Sequence, residues 1–256
     1  MSFLKSALRK VVPKGIAAVY DGYRLEKSAE RNRLMSTEAI FTEIYSTNRW
    51  GGSPGIFFSG LGSHEAAIVS PYVAVVTAEL QQLGASSLTA VDLGCGDFSV
   101  GRRLAPACGR YIGIDIVKQL IAHNERTFGS GSVSFRHANI VDDALPGGDI
   151  CFVRQVLQHL SNEQIAAVLP KLDRFTWCFV TEHHPSPGRL IEPNKNKPHG
   201  DDIRVSRGSG VFLDEPPFRV PASRLRLLLE VPGTATTDGS DPGVVRTYLL
   251  SSSSLR

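Results

Sequence analysis

The sequence predicts an α/β fold in which a doubly wound, mostly parallel sheet of seven strands is completed by an antiparallel hairpin. Three observations support this prediction. Short apolar runs alternate with helical patterns through the middle of the chain, which is typical of parallel strands with helices on both faces. A glycine turn ends the first of these runs, and two apolar runs a turn's length apart lie near the end of the sequence.

The predicted elements alternate along the chain in βα order. Apolar runs predict parallel strands at 88–93, 110–115, 133–137, 149–154 and 176–182. Helical periodicity predicts intervening helices at 99–107, 117–127 and 162–173. The last apolar runs, 225–231 and 244–250, predict the closing hairpin within 224–250. Ligands of such sheets bind at the carboxyl ends of the strands, so polar residues at those ends are the first candidates for a site.

The residues before the first strand predict an N-terminal extension, 1–66, in front of a main domain, 67–256. Helical spacing predicts a helical cap over 36–45 and another helix from about 64 to 83. Glycine- and serine-rich loops join these helices, and one of the loops contains Trp50. Because these loops have no evident packing role, we expect them to form a lid and Trp50 to contact a substrate.

The first residues, 3–12, carry apolar side chains at helical spacing with basic residues between them. We expect a helix packed on its own domain or a frayed terminus, and the alternative is peripheral contact with an anionic membrane. No apolar run approaches the ~18 residues that a membrane span needs, and no apolar h-region indicates a signal peptide. The four cysteines form no Cys-x-x-Cys pair, which fits a reducing cytoplasm.

The glycine turn lies in residues 91–96, with the sequence VDLGCG. Glycine lets the backbone approach a ligand closely, because no Cβ stands in the way. The next predicted strand ends in Asp115, about 20 residues further on, where a carboxylate can bind both hydroxyls of a ribose. The combination predicts a nucleotide-like ligand. Ser99 stands where a dinucleotide fingerprint would more often have its third glycine, which argues against NAD.

Residues 91–96 and 111–115 (YIGID) resemble motif I and the acidic second motif of the class I S-adenosylmethionine-dependent methyltransferases. Residues 149–160 resemble the fourth strand and following helix of that family, and 179–182 (FVTE) resemble the end of its fifth strand. The resemblance covers roughly residues 71–182. It implies the Rossmann-like methyltransferase fold, with S-adenosylmethionine as the cofactor.

The resemblance also implies which residues hold the cofactor. Gly94 and Gly96 should let the backbone approach the methionine part, Asp115 should bind the ribose and Ile116 should pack on the adenine. The implied cofactor residues are Asp92, Gly94, Gly96, Asp97, Asp115, Ile116, Asn139 and Arg154. Phe98 stands where the family often has a third glycine, so contacts there must differ in detail.

A proline-rich insertion, 185–223, separates the fifth predicted strand from the hairpin. Long insertions in compact domains are usually functional, so we expect this one to face the substrate, and the alternative is a surface loop. The predicted acceptor-binding residues are Trp50, His184, Asp202 and Arg204. A divalent metal site is a weaker alternative, because no fixed ligand spacing supports it, and we expect no metal. Its ligands would be Glu182, His199, Asp201 and Asp202.

Methyl transfer to a hydroxyl requires that the hydroxyl lose a proton, so a base within hydrogen-bond reach is expected. The predicted catalytic residues are His183, Glu182 and His159. We favour the first two, which end the fifth predicted strand, because a histidine at position 159 is common in the resembling fold whatever the substrate.

The leading functional prediction is transfer of a methyl group to a hydroxyl of a small molecule or saccharide. The alternatives are a methyltransferase acting on protein or RNA, and a non-catalytic binding protein on the same fold. A formal charge of only +3 and the lack of an arginine-rich module argue against a nucleic acid partner. An intact glycine turn with Asp115 argues against lost cofactor binding.

Overall fold

The structure is a computed structural model that describes residues 14–189, 191–234 and 241–252. The predicted amphipathic segment 3–12, and with it any membrane contact, lies outside the described residues. Within them, no helix is both long enough and apolar enough to cross a membrane.

Seven strands form a single sheet. They are β1 (Thr89–Leu93), β2 (Arg110–Asp115), β3 (Val133–His137), β4 (Ile150–Arg154), β5 (Trp177–His184), β6 (Leu225–Pro232) and β7 (Val244–Ser251). Their order across the sheet is β3-β2-β1-β4-β5-β7-β6. The first five pair in parallel, whereas β7 is antiparallel to both β5 and β6. The predicted fold class is therefore confirmed, and the order reverses beside β1, where open α/β sheets bind ligands.

Six α-helices surround the sheet in the described part of the chain. They are α1 (Lys14–Arg33), α2 (Thr37–Ser46), α3 (Ala66–Gln82), α4 (Gly101–Leu104), α5 (Lys118–Phe128) and α6 (Asn162–Leu172). The sequence did not predict α1. The helix predicted over 99–107 is shorter than expected, because a 3₁₀ turn with Pro106 near its start replaces its second half. The Ser36 side chain caps α2, and Ser161 with Gln164 forms a capping box on α6.

The core has two layers, because successive strand residues face opposite sides of the sheet. In β4, Cys151 and Val153 pack with the apolar face of α6. Ile150 and Phe152 face the other way and pack with α3. This alternation explains why a central strand such as β4 is apolar on both faces: helices or loops cover both sides of the parallel sheet there.

A third apolar cluster joins the N-terminal extension to the sheet. Ile40, Phe41 and Ile44 of α2 pack on Val117 and Leu120 at the start of α5. Because α5 begins directly after β2, this packing fixes α2 over the carboxyl ends of the strands. The extension therefore covers the edge of the sheet where a ligand is expected.

Candidate active site

A cavity enclosing about 1050 Å³ of atom-free space, its open mouth included, lies at the carboxyl ends of β1, β2 and β4. Its walls come from the glycine turn, the ends of these strands, α2 and the loops on either side of Trp50. Of the predicted site residues, those that line it are Trp50, Asp92, Gly94, Gly96, Asp97, Asp115, Ile116, Asn139, Arg154 and His159. One cavity thus collects every predicted cofactor residue but only one of the three predicted bases.

The two glycines of the turn are required by its backbone. Gly94 and Gly96 have φ values of 78° and 54°, in the left-handed region that favours glycine. A Cβ on Gly94 would lie 2.5 Å from the Val156 side chain, and one on Gly96 would overlap the Ser59 hydroxyl. The turn therefore lies close to the segment after β4 on one side and to the lid loop on the other.

The Asp115 carboxylate closes the base of the turn. It accepts hydrogen bonds from the backbone N–H of Gly96 (3.1 Å) and of Val117 (3.0 Å). Burial raises the pKa of Asp115 to about 6, and these backbone donors oppose the rise. Each carboxylate oxygen has a second lone pair, so the group can still accept hydrogen bonds from a ligand in the cavity.

Another part of the cavity wall contains a buried acidic side chain, Asp92, and a buried basic side chain, Arg154. The Tyr111 hydroxyl donates to Asp92 at 2.9 Å, and burial raises the pKa of Asp92 to about 7. The Arg154 guanidinium donates to the Gly62 carbonyl at 2.6 Å and lies 4.8 Å from the centre of the Tyr72 ring. The buried Nε of Arg154 has no hydrogen-bond partner among the described residues, so this group retains an unused donor.

The glycine-rich loop that contains Ser59 is held to the glycine turn by hydrogen bonds with Asp97. The Asp97 carboxylate accepts from the Ser59 backbone N–H at 2.8 Å and contacts His64 Nε2 at 2.7 Å. In return, the Asp97 backbone N–H donates to the Ser59 hydroxyl, which also bonds the Tyr45 hydroxyl at 2.8 Å. The Asp97 side chain is therefore occupied by this loop and by His64.

The wall after β2 and β3 contains Ile116 and Asn139. The Asn139 side chain is occupied locally, because its amide donates to Asp142 and its carbonyl accepts from the Val141 backbone. Asn139 therefore shapes the turn after β3, and its contribution to the cavity wall does not require a free carboxamide.

The opposite part of the cavity is lined by aromatic rings. Trp50 lies 5.2 Å from Tyr45, 5.3 Å from His159 and 5.9 Å from Phe41, measured between ring centres. Phe41 and Tyr45 are one helical turn apart on α2, so they face the cavity together. The sequence did not single out these two residues, although their i, i+4 spacing beside the predicted lid is a usable signal.

His159 is the histidine that opens into this aromatic end. Its Nδ1 lies 3.0 Å from the Gly200 carbonyl, which can only accept, so Nδ1 carries the proton. Burial lowers the pKa of His159 to about 4, and the nearby Lys197 ammonium lowers it further. The ring is therefore neutral at neutral pH, and its unprotonated Nε2 is a hydrogen-bond acceptor that lies 3.4 Å from the Gln158 side-chain nitrogen.

Glu182 does not line this cavity, which corrects the prediction that it is a base there. Its two oxygens accept the backbone N–H groups of Val156 (3.2 Å), Leu157 (2.9 Å) and Gln158 (3.0 Å). Burial raises the pKa of Glu182 to about 8, against the effect of these three donors. Its role is structural: it anchors the 3₁₀ turn Leu157–His159 that carries the histidine.

His183 and His184, predicted for catalysis and acceptor binding, also lie outside the cavity that collects the predicted cofactor residues. As neighbours in β5 they face opposite sides of the sheet. His183 Nε2 donates to the Pro242 carbonyl at 2.7 Å, in the connection between β6 and β7. The His184 ring is buried against Phe212 and Tyr248, and burial lowers its pKa to about 3.

The insertion 185–223 supplies no described side chain to the cavity wall, which corrects the expectation that it faces the acceptor. Arg204 is fully buried and donates to the carbonyls of Lys195 (2.7 Å) and Leu160 (2.8 Å). Asp202 pairs with Arg207 at 2.6 Å. Asp202 and Arg204 therefore hold the insertion together and fix it on the turn after β4, where the Gly200 backbone also exchanges hydrogen bonds with His159.

The weaker metal prediction also finds no support in the described ranges, where no group of three or more potential ligands converges. Glu182 is engaged by backbone donors, and His199 Nε2 donates to the Met35 carbonyl at 3.1 Å. Asp201 pairs instead with Arg49 at 3.3 Å. These side chains point to separate partners and leave no shared coordination site among them.

Comparisons with known proteins agree with this fold. A family model described as a methyltransferase domain matches residues 90–176, from β1 to the start of β5. The 1,6-didemethyltoxoflavin-N1-methyltransferase of Burkholderia thailandensis has a TM-score of 0.52 at 13% identity, over 84% of this chain and 87% of that one. The magnesium protoporphyrin IX methyltransferase of Synechocystis PCC 6803 has a TM-score of 0.51 at 18% identity, over 84% and 100%. No curated protein sequence matches the chain.

The seven-stranded order is that of the Rossmann-like methyltransferase fold, and residues 90–176 match a methyltransferase domain, so both agree with the resemblance of the motifs to the class I S-adenosylmethionine-dependent methyltransferases. S-adenosylmethionine is the cofactor of this class, and the cavity offers suitable groups for it. A carboxylate stands beside the glycine turn, and a buried guanidinium retains an unused donor. The group that accepts the methyl is a separate question.

Proposed function

We propose that this protein transfers a methyl group from S-adenosylmethionine to a hydroxyl of a small molecule. One observation carries the proposal: the glycine turn, the Asp115 carboxylate and the neutral ring of His159 open into the same cavity. A cofactor site and a proton acceptor in one enclosed space are what such a reaction requires.

The cofactor end would hold the donor through complementary groups. Asp115 would accept the ribose hydroxyls, and Ile116 would pack against the adenine with the backbone near Asn139. Asp92 and Arg154 carry opposite charges on one wall, which suits the amino and carboxylate groups of the methionine part. The unused Nε of Arg154 supports this assignment, because an unpaired buried donor is costly without a partner.

The aromatic end would hold the acceptor. S-adenosylmethionine supplies a methyl group activated by its positive sulfur. The chain's own contribution is to orient the acceptor and to take its proton at His159 Nε2, while the Gly200 carbonyl fixes the tautomer. Trp50 and the loop held by Asp97 would exclude water, so we propose that the described part of the 1–66 extension acts as a lid on the 67–256 domain.

Two features support a small acceptor in a reducing compartment. The loop that contains Ser59 forms part of the cavity wall and is joined by hydrogen bonds to the glycine turn, an enclosure that favours a small acceptor over a macromolecule. All four cysteines are buried free thiols, which fits a cytoplasmic protein.

Calorimetry tests the first half of the proposal. S-adenosylhomocysteine should bind with a dissociation constant of about 1 μM or tighter, roughly −8 kcal/mol, and NAD should not bind. Trp50 fluorescence in a Trp177→Phe variant should change on binding, because Trp50 lines the cavity whereas Trp177 lies in β5. Binding of NAD without S-adenosylhomocysteine would overturn the cofactor assignment, and a constant Trp50 signal in a binding-competent variant would remove the lid role.

A further inference from the structure

Charge is distributed unevenly along the cavity wall. The charged residues that line it are Asp92, Asp97, Asp115 and Arg154, at the glycine turn or at strand ends. No lysine and no other arginine lines it in the parts of the chain that the structure describes. An acceptor with a phosphate or carboxylate would therefore enter the aromatic end without a countercharge, at a high desolvation cost.

The cations nearest to the aromatic end are already paired. Arg49, next to Trp50, contacts Glu43 at 2.6 Å and Asp201 at 3.3 Å. Lys197, whose charge acts on His159, contacts Asp202 at 3.3 Å. Recruiting either cation to an anionic acceptor would break an existing ion pair.

Polar groups for a hydroxyl-rich acceptor are also few at this end. The Thr37 hydroxyl accepts from the Gln164 amide at 2.9 Å, and the Gln155 carboxamide is packed closely against Gly62. A saccharide brings several hydroxyls, and each one buried without a partner costs about 1–3 kcal/mol. The site therefore disfavours the saccharide that the sequence left open.

The groups that do face this end are flat and apolar. Phe41 and Trp50 lie against His159, Tyr45 lies against Trp50, and the neutral Nε2 of His159 can accept one hydrogen bond. Aromatic pairs gain about 0.5–1.5 kcal/mol beyond the area they bury, so the walls favour another ring. A single hydrogen-bond acceptor, His159 Nε2, beside aromatic walls therefore suits a ligand with one hydroxyl on an uncharged planar ring.

We propose that the methyl acceptor is an uncharged aromatic alcohol whose ring packs among Phe41, Tyr45 and Trp50 and whose hydroxyl donates to His159. This assignment rests on the proposed function, because it names the acceptor class of the same cavity. In the reaction the acceptor oxygen gains the methyl group, the carbon–sulfur bond of the donor breaks, and the hydroxyl proton passes to His159 Nε2.

Three probes separate the acceptor classes: 2-naphthol, its carboxylated analogue 6-hydroxy-2-naphthoate, and methyl α-glucoside. Each is titrated calorimetrically in the presence of S-adenosylhomocysteine and then offered with methyl-labelled S-adenosylmethionine. We expect 2-naphthol to bind at least about tenfold more tightly than the carboxylated analogue and to be methylated. The glucoside should neither bind nor be methylated.

Trp50→Leu should weaken the affinity for 2-naphthol about tenfold and leave the affinity for S-adenosylhomocysteine unchanged, whereas Trp177→Phe should change neither affinity.

The outcomes distinguish the two proposals. If S-adenosylhomocysteine itself fails to bind, the proposed function falls and the acceptor assignment falls with it. If S-adenosylhomocysteine binds but the glucoside or the carboxylated probe is preferred to 2-naphthol, only the acceptor assignment is overturned. Equal binding of 2-naphthol by the wild type and a folded Trp50→Leu variant would also overturn it. The probe series needs no variant, so a misfolded variant leaves the test intact.

Discussion

The two ends of the cavity are built in different ways. At the cofactor end, Gly94 and Gly96 directly follow β1, and Asp115 ends β2, the adjacent strand. The Gly96 backbone N–H donates to the Asp115 carboxylate. At the aromatic end, Trp50 and His159 meet from distant segments, and the Gly200 carbonyl of a third segment fixes the histidine tautomer. One end is a local motif, whereas the other exists only when the extension, the turn after β4 and the insertion are assembled.

The electrostatics of the two ends differ in the same way. Burial raises the pKa of Asp115 and of Asp92, yet both retain hydrogen-bond donors that favour the charged form. Burial lowers the pKa of His159, so that end stays neutral. The contrast suits a charged, polar cofactor on one side and an uncharged acceptor on the other. Variants that affect one end alone test this division.

The largest effect is expected from His159→Asn. The shorter amide can still donate to the Gly200 carbonyl, but it lacks an acceptor at the Nε2 position, so the proton acceptor is lost while the turn is kept. Turnover of 2-naphthol, or of whichever probe is methylated, should fall about 100-fold or more. Affinity for S-adenosylhomocysteine, measured by calorimetry, should stay within about threefold. A variant with normal turnover would show that His159 is only part of the wall.

The wild-type pH profile provides the control for this variant. A histidine with the ordinary pKa of 6.5 would be mostly protonated at pH 5.5, whereas one with a pKa of about 4 stays a proton acceptor. At saturating cofactor, wild-type turnover should therefore lose no activity to His159 protonation between pH 7 and pH 5.5. A loss with a midpoint near 6.5 would mean that the base is another, more exposed group.

The next effect belongs to the cofactor end. Asp115→Ala removes the acceptor proposed for the ribose and also leaves the Gly96 and Val117 N–H groups without their partner. Loss of charged hydrogen bonds at about 1.5–3 kcal/mol predicts an S-adenosylhomocysteine affinity some 10–100-fold weaker by calorimetry. Asp115→Asn, which keeps one oxygen, should fall between wild type and alanine. Unchanged binding in a folded alanine variant would contradict the ribose assignment.

A smaller, purely indirect effect is expected from Glu182→Gln. An amide can replace only one of the two oxygens that accept from Val156, Leu157 and Gln158, and its N–H₂ faces backbone donors. We expect about 2 kcal/mol less stability on denaturant unfolding and roughly tenfold lower turnover, with cofactor affinity unchanged. Glu192→Gln, on an exposed side chain of the insertion, is the matched control. If cofactor affinity fell as much as turnover, Glu182 would not act through the His159 turn alone.

The contrast between the two ends also explains what the sequence could predict. The strands, the glycine turn and Asp115 depend on short apolar runs and on spacing within about 20 residues, which are local properties. Placing Arg204 or His183 required knowing which carbonyls lie nearby, and their partners, Leu160 and Pro242, lie 44 and 59 positions away. Polar residues at a strand end are equally suited to a substrate and to a buried backbone contact, so composition alone could not separate the two roles.

His184 offers the smallest and most specific test, because it shares a lowered pKa with His159 but not a place in the cavity. Unfolded, its pKa returns to about 6.5. Folded, burial against Phe212 and Tyr248 holds it near 3. At a pH between these two pKa values, the unfolded chain holds a proton on His184 that the folded protein does not. Protonation of this residue therefore lowers the free energy of unfolding as the pH falls from 6.5.

His184→Phe should remove that proton linkage and leave turnover at pH 7.5 unchanged. Denaturant unfolding at pH 4.5, 5.5 and 6.5 should show a stability that declines less steeply than in the wild type, by up to about 1.4 kcal/mol per pH unit for one proton. The wild type, unfolded under the same conditions, is the control. An unchanged slope in His184→Phe would mean that the folded protein protonates this ring freely, and a loss of turnover would return His184 to the active site.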